Sequence, residues 1–177
     1  MSLTEMTAES PEVYYSNLSI GRVDNEVLNF LKERASETKR GRCRLCLHPT
    51  PDAIQQEMVI VMRGDSYVRP HAHVGKGETL LVLDGQATAP IFSEDGAIVD
   101  AISLGPTGSG RTFFYRMPEQ VYHGLWISTD WLVYVETTIG PFSRDATLFP
   151  DWGPDLDDPQ EIAKVRREQL AMAERLV

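Results

Sequence analysis

The sequence predicts a mainly β domain, a sandwich or barrel of short antiparallel strands with one helix before it and one after. Three observations predict it. Segments rich in β-branched and aromatic residues run from Arg42 to Thr138, Asp-Gly pairs punctuate them, and helical spacing occurs only in the two flanks. With 177 residues, 42% hydrophobic and 24% charged, the chain can bury a single core without disulfide staples. It divides into an N-terminal arm and helix (1–41), a β-barrel (42–150), and an acidic loop with a C-terminal helix (151–177), read as one folded unit.

Val13, Tyr14 and Tyr15 predict a short strand or docking arm. Asp24 then sits where an N-cap belongs, and Val27, Leu28, Leu31 and Ala35 follow at helical spacing, so a helix is expected over Asn25–Thr38, with Gly41 just beyond it. Cys43–His48 reads as a strand. Glu57–Arg63, Glu78–Leu83, Ala97–Leu104, Thr112–Arg116, Tyr122–Ser128 and Trp131–Thr138 read as further strands. Asp84-Gly85 and Asp95-Gly96 carry the strongest local hairpin signal, and Thr129-Asp130 makes another tight connection. Gly105–Gly110 is a flexible loop without the ending of a phosphate-binding loop. After Pro150 come Asp151, Asp155, Asp157 and Asp158; Pro159 then opens a helix whose narrow apolar stripe is Ile162, Val165, Met172 and Leu176.

Seventeen basic and twenty-six acidic residues give a net charge of −9, a field that repels phosphate backbones, so nucleic acid is not an expected partner. No apolar run approaches the roughly 20 residues of a membrane span. Met1–Ser10 carries Glu5 and Glu9 in place of an apolar secretion core, and the expected address is cytoplasmic. Cys43 and Cys46 form a CxxC that reads as a redox pair, half a zinc site, or two buried small hydrophobes. Residues three apart on a strand point to opposite faces, which favours the last.

The chemistry concentrates in the histidines. His71 and His73 are two apart and share a face if they lie on a strand. Glu78 opens the next strand, Gly85 follows it, and His123 lies well downstream after Pro118. Two imidazoles and a carboxylate aimed into a barrel are costly to bury unless they share a cation or a proton network. His48 falls outside this pattern and reads as a structural histidine.

The text HxH(x)4E(x)6G, followed by PxxxxH, resembles the two motifs of the cupins. More closely, Arg44-Leu-Cys-Leu-His48, Gln56–Ile60, Ser66–His73, Lys76, Glu78, Gly85, Tyr122-His123 and Glu136 through Phe142 resemble the WbuC-type cupin fold metalloproteins, over about Arg42 to Pro154. The resemblance implies a double-stranded β-helix, jelly-roll-like barrel holding one metal ion on His71, His73, Glu78 and His123. The second motif departs from many cupins, with Pro118-Glu-Gln120 for Pro-x-Gly and Ile127 for an asparagine; neither departure removes a ligand. Mixed nitrogen–oxygen ligation suits a divalent Fe, Mn, Ni, Co or Zn ion.

Tyr67, Lys76 and Glu136 are the candidate proton-moving groups, and Arg69 and Tyr122 the candidate substrate contacts. Tyr67 and Arg69 share the face of His71 and His73 if the strand stays regular through Pro70. Each has a plainer reading as a rim or loop residue. Three functions follow: a metal-dependent isomerase, epimerase or oxygenase acting on a small polar molecule such as a sugar or sugar acid, in keeping with surface-polysaccharide (lipopolysaccharide) biosynthesis; a metal-containing module that binds a small ligand; or an ion that only braces the barrel. Analogy with cupins implies a homodimer, which the apolar N-terminal arm fits.

Overall fold

The computed structural model describes residues 5–154 and 159–173. Its elements are β1 (Met6–Ser10), β2 (Val13–Ser16), α1 (Asn25–Glu37), β3 (Arg42–Cys46), β4 (Gln55–Arg63), β5 (Val68–His73), β6 (Glu78–Asp84), β7 (Ala87–Phe92), β8 (Ile98–Leu104), β9 (Phe114–Met117), β10 (Tyr122–Ile127), β11 (Trp131–Ile139), β12 (Thr147–Leu148) and α2 (Pro159–Ala173). Two sheets face each other. The larger has the order β1-β2-β3-β4-β11-β6-β9 and the smaller β12-β5-β10-β7-β8. Among the described strands, β2 and β3 alone pair in parallel.

Period-two alternation puts one side chain of each pair between the sheets. Met58, Ile60 and Met62 of β4, Leu80 and Val82 of β6, and Leu132 and Tyr134 of β11 meet Ala87, Ala89, Leu125 and Ile127 of the facing sheet in one buried cluster. The alternate apolar residues of β3, β4 and β11 are not wet, because α1 covers them. Val27, Leu31 and Ala35 are fully buried against Cys43, Leu45, Val59, Val61 and Val133. The Asp24 side chain accepts a hydrogen bond from the Val27 amide at 3.1 Å, the expected N-cap. Cys43 and Cys46 are free and buried in different clusters, as hydrophobes. Burial pushes the Cys43 thiol up to about 12, so it is unreactive.

One turn differs from expectation. Asp95-Gly96 does join a hairpin, β7–β8. Asp84-Gly85 instead carries the chain from the larger sheet to the smaller, since β6 and β7 belong to different sheets. The return crossing, Thr129-Asp130, lies beside it: the Gln86 amide donates to Thr129 Oγ1 at 2.9 Å, and the Ser128 amide donates to the Gln86 carbonyl at 2.8 Å. The two crossings brace each other and make the corner of a jelly roll. β1, β7 and β12 escaped the sequence reading; β1 is polar and mostly exposed, β7 contains Pro90, and β12 is two residues long.

The expected C-terminal helix is present as α2, lying against the edge strand β8. Asp155, Asp157, Asp158 and Leu176 lie outside the described residues. Among the described residues no helix is long and apolar enough to cross a membrane.

Candidate metal centre

β5 and β10 are neighbours in the smaller sheet, with His71 opposite His123 in the register. Two residues on, His73 shares the face of His71. The ligand nitrogens of His71, His73 and His123 lie within 4.8 Å of one another, a spacing that can hold a metal ion. Glu78, at the start of β6 in the facing sheet, closes the group. Its Oε2 is 3.0 Å from His73 Nε2 and its Oε1 is 3.1 Å from His123 Nε2.

Backbone contacts orient the rings. His71 Nδ1 lies 2.9 Å from the Arg69 carbonyl, and His123 Nδ1 lies 2.8 Å from the Val121 carbonyl. A carbonyl can only accept, so both Nδ1 atoms carry hydrogen, and in the neutral ring Nε2 keeps the lone pair a metal needs. The His73 Nδ1 is buried without a hydrogen-bond partner, which is costly in a ring with nothing else to satisfy it. Three oriented imidazoles, an adjoining carboxylate and an orphaned nitrogen fit a divalent transition ion.

The electrostatics of the four groups differ. Burial and the neighbouring His123 hold His71 down at about 4. Burial would lower His123 as well, but the hydrogen bond and charge of Glu78 outweigh it and raise the imidazole. Burial would raise Glu78; hydrogen bonds from His123 and His73 hold it well below the usual carboxylate range. Ligation requires neutral rings, so occupancy is expected to fall on acidification, with His123 protonated before His71. Full retention in equilibrium dialysis at about pH 4.5 would contradict three-imidazole ligation. Without metal, the unfolded chain takes up a proton near 6.5 that folded His71 refuses until about 4, so this group lowers stability as pH falls through that window.

The other expected site residues separate into two groups. Glu136 faces the barrel interior, two residues along β11 from Thr138, which pairs with Glu78. Burial and the charge of Glu78 push its carboxyl up to about 8, while Arg44, His123 and Lys76 oppose the rise. Lys76 and Glu136 therefore belong to the neighbourhood of the histidines.

Tyr67, Arg69 and Tyr122 each contact the segment 147–154. Leu125 pairs with Val68 while His123 pairs with His71, so β5 carries an extra residue beside Pro70. This bulge breaks the alternation and gives the inner position to Val68, which packs on the core. The Tyr67 hydroxyl donates to the Pro154 carbonyl at 3.2 Å. The Arg69 guanidinium donates to the Pro150 carbonyl at 3.4 Å and stacks over Phe149, 5.1 Å from the ring centroid. Both hold the segment 147–154, which runs past the site and places Phe149 6.2 Å from His71. Tyr122 adjoins His123 on the strand and so faces the opposite side, against Trp152.

His48 is structural: its Nδ1 accepts from the Glu57 amide at 3.1 Å, and Tyr15 packs edge-on against it. Gln120, where the cupin motif has glycine, adopts φ +60, and its amide donates to the His73 carbonyl at 2.7 Å. The glycine-like turn survives its substitution, at the strain cost of a non-glycine residue. Residues the sequence reading passed over are Arg44, Tyr115 and Tyr134, inward-facing companions of Glu136. The polar alternation of β3 was the available signal, and it reads equally well as a solvent face.

A family model described as a domain of unknown function (DUF6016) matches residues 23–104. No curated protein matches the chain. Among solved structures, the capsular polysaccharide assembling protein CapF from Staphylococcus aureus is similar with a TM-score of 0.51 and 20% identity, over 64% of this chain and 31% of CapF. Protein SO0799 from Shewanella oneidensis is similar with a TM-score of 0.53 and 13% identity, over 88% of this chain and 98% of its own. The chain thus spans about a third of CapF and nearly all of SO0799. What these likenesses share with the two-sheet architecture is the fold: the chain has a mainly β, cupin-like jelly-roll fold with two helices, and its histidine triad could hold a metal ion.

Proposed function

We infer that the protein is a metal-dependent enzyme acting on a small polar substrate such as a sugar or sugar acid, with His71, His73, Glu78 and His123 holding one divalent Fe, Mn, Ni, Co or Zn ion. The convergence of His71, His73 and His123 from β5 and β10, with two rings fixed by backbone carbonyls, carries this reading. The bound ion would polarise a carbonyl or hydroxyl oxygen of the substrate. Glu136, its carboxyl pushed up to about 8, can hold a proton at neutral pH and exchange it with the substrate, and Lys76 supplies a cation beside it. The sugar class comes from the resemblance to WbuC-type proteins, and the homodimer belongs to the same proposal.

A catalytic ion needs a coordination position open to water or substrate; a bracing ion does not. Water-proton relaxation of the Mn(II)-loaded protein separates the two. Relaxivity above that of the free aqua ion is the result expected for an exchangeable water on a slowly tumbling protein. A value below it would mean a closed site and contradict the enzymatic reading.

A further inference from the structure

β9 is an edge of the larger sheet, with β6 on its inner side. The Phe113 carbonyl accepts from the Val82 amide at 2.8 Å, and backbone bonds in an antiparallel ladder alternate along the strand. Phe113, Tyr115 and Met117 therefore turn their peptide groups to β6, while Phe114 and Arg116 turn theirs away. Among the described residues no backbone bond completes those outward groups.

The side chains around this edge are unusually apolar. Tyr115 and Met117 point into the core, and Phe114 is 51% exposed. Leu81 sits opposite Phe114 in the register, and Leu83, on the same outer face of β6, is exposed as well. α1 leaves this half of the sheet uncovered, since its buried neighbours come from β3, β4 and β11. Soluble proteins guard such an edge with lysine, proline, a bulge or a covering element; β9 carries only Arg116 among Phe114, Tyr115 and Met117. In a chain with twenty-six acidic residues, the outer positions Thr79, Leu81, Leu83, Phe114 and Arg116 include none.

The sequence Phe114–Met117 is complementary to itself. Paired antiparallel across a two-fold axis at Tyr115, Phe114 of each copy stands opposite the partner subunit's Arg116. The backbone needs this register, because it places the two outward-turned residues in bonded pairs that exchange both bonds. On the outer face it lays each guanidinium beside the partner subunit's Phe114, whose ring attracts a cation. Arg116 has no ion pair among the described residues that this contact would break.

We propose that β9 of one copy pairs antiparallel with β9 of a second, joining the two larger sheets into one across a two-fold axis at Tyr115. This names the surface of the homodimer in the functional reading and rests on that part of it alone.

Sedimentation equilibrium of the full chain tests the interface, and wild type is expected to be a dimer. In Phe114→Lys the new ammonium faces the partner subunit's Arg116, and dimerisation should weaken about tenfold or more. In Phe114→Glu a carboxylate faces the same guanidinium, and the dimer should be at least about tenfold tighter than that of Phe114→Lys. Disulfide trapping reads the register. Phe114→Cys mixed with Arg116→Cys should cross-link, because a bonded pair brings its Cα atoms to about 5.5 Å. Each variant alone should not, since its equivalent cysteines lie on a diagonal of about 7–8 Å. A monomeric wild type would overturn the interface together with the homodimer. A wild-type dimer in which Phe114→Lys and Phe114→Glu associate equally, or in which the mixed cysteines stay unlinked, would overturn the interface alone. If Phe114→Lys does not fold, the cysteine pair decides.

Discussion

Glu78→Ala is expected to weaken divalent-metal binding by about two orders of magnitude and to destabilise the metal-free protein by about 3 kcal/mol. Glu78 is 7% exposed, and its two oxygens serve two different imidazoles, one on β5 and one on β10. It therefore ties the larger sheet to the smaller at the metal centre. Removing it leaves the Nε2 atoms of His73 and His123 in a buried space with no acceptor, beside a His73 Nδ1 that already lacks a partner. The His123 imidazole, raised by Glu78, should also fall in the variant, because only burial and its other neighbours would remain. Metal titration and denaturant melts of the apo protein measure the two effects. Wild-type metal affinity in Glu78→Ala would remove the carboxylate from the ligand set.

Gly85→Val should prevent folding or cost more than about 4 kcal/mol, the range reserved for severe steric and backbone conflicts. Gly85 has φ +84, a region β-branched residues avoid. A Cβ there would meet the Trp131 carbonyl oxygen at 2.1 Å and Thr129 Oγ1 at 2.9 Å. Neither neighbour can yield easily. The Trp131 carbonyl accepts from Thr129 Oγ1 at 2.7 Å, and the same hydroxyl accepts from the Gln86 amide. The corner where two sheet crossings touch has no spare volume. Circular dichroism and thermal melting check this, and a stable Gly85→Val protein would show that the crossings are not mutually braced.

That corner also shows how far the sequence could be read. Asp84-Gly85 is legible as a tight turn because its chemistry is local, but whether it closes a hairpin or changes sheet depends on which strands pair, and pairing is non-local. The histidine motif was legible for the same local reason: i, i+2 spacing on β5 places His71 and His73 together whatever the rest of the chain does. Tyr67 and Arg69 were misplaced because their parity runs through Pro70, where a bulge resets it. Arg44 stayed hidden because its strand alternates polar and apolar residues, as an edge strand facing water would. In the fold both faces are covered, one by α1 and the other by the facing sheet. Phe149 and Trp152 lie in a segment with almost no regular structure, and their positions follow from tertiary contacts alone, including the Trp152 Nε1 bond to the Glu94 carbonyl at 2.9 Å.

Elemental analysis of the chain purified without chelator, wild type beside His71→Ala, shows whether His71, His73 and His123 hold a metal ion. His71 is the right ligand to remove because the Glu78 bonds to His73 and His123 do not involve it, so the sheets stay tied in the variant. About one transition-metal ion per wild-type chain, with a several-fold loss in His71→Ala, is the predicted result. Equal metal content in the two proteins would contradict it.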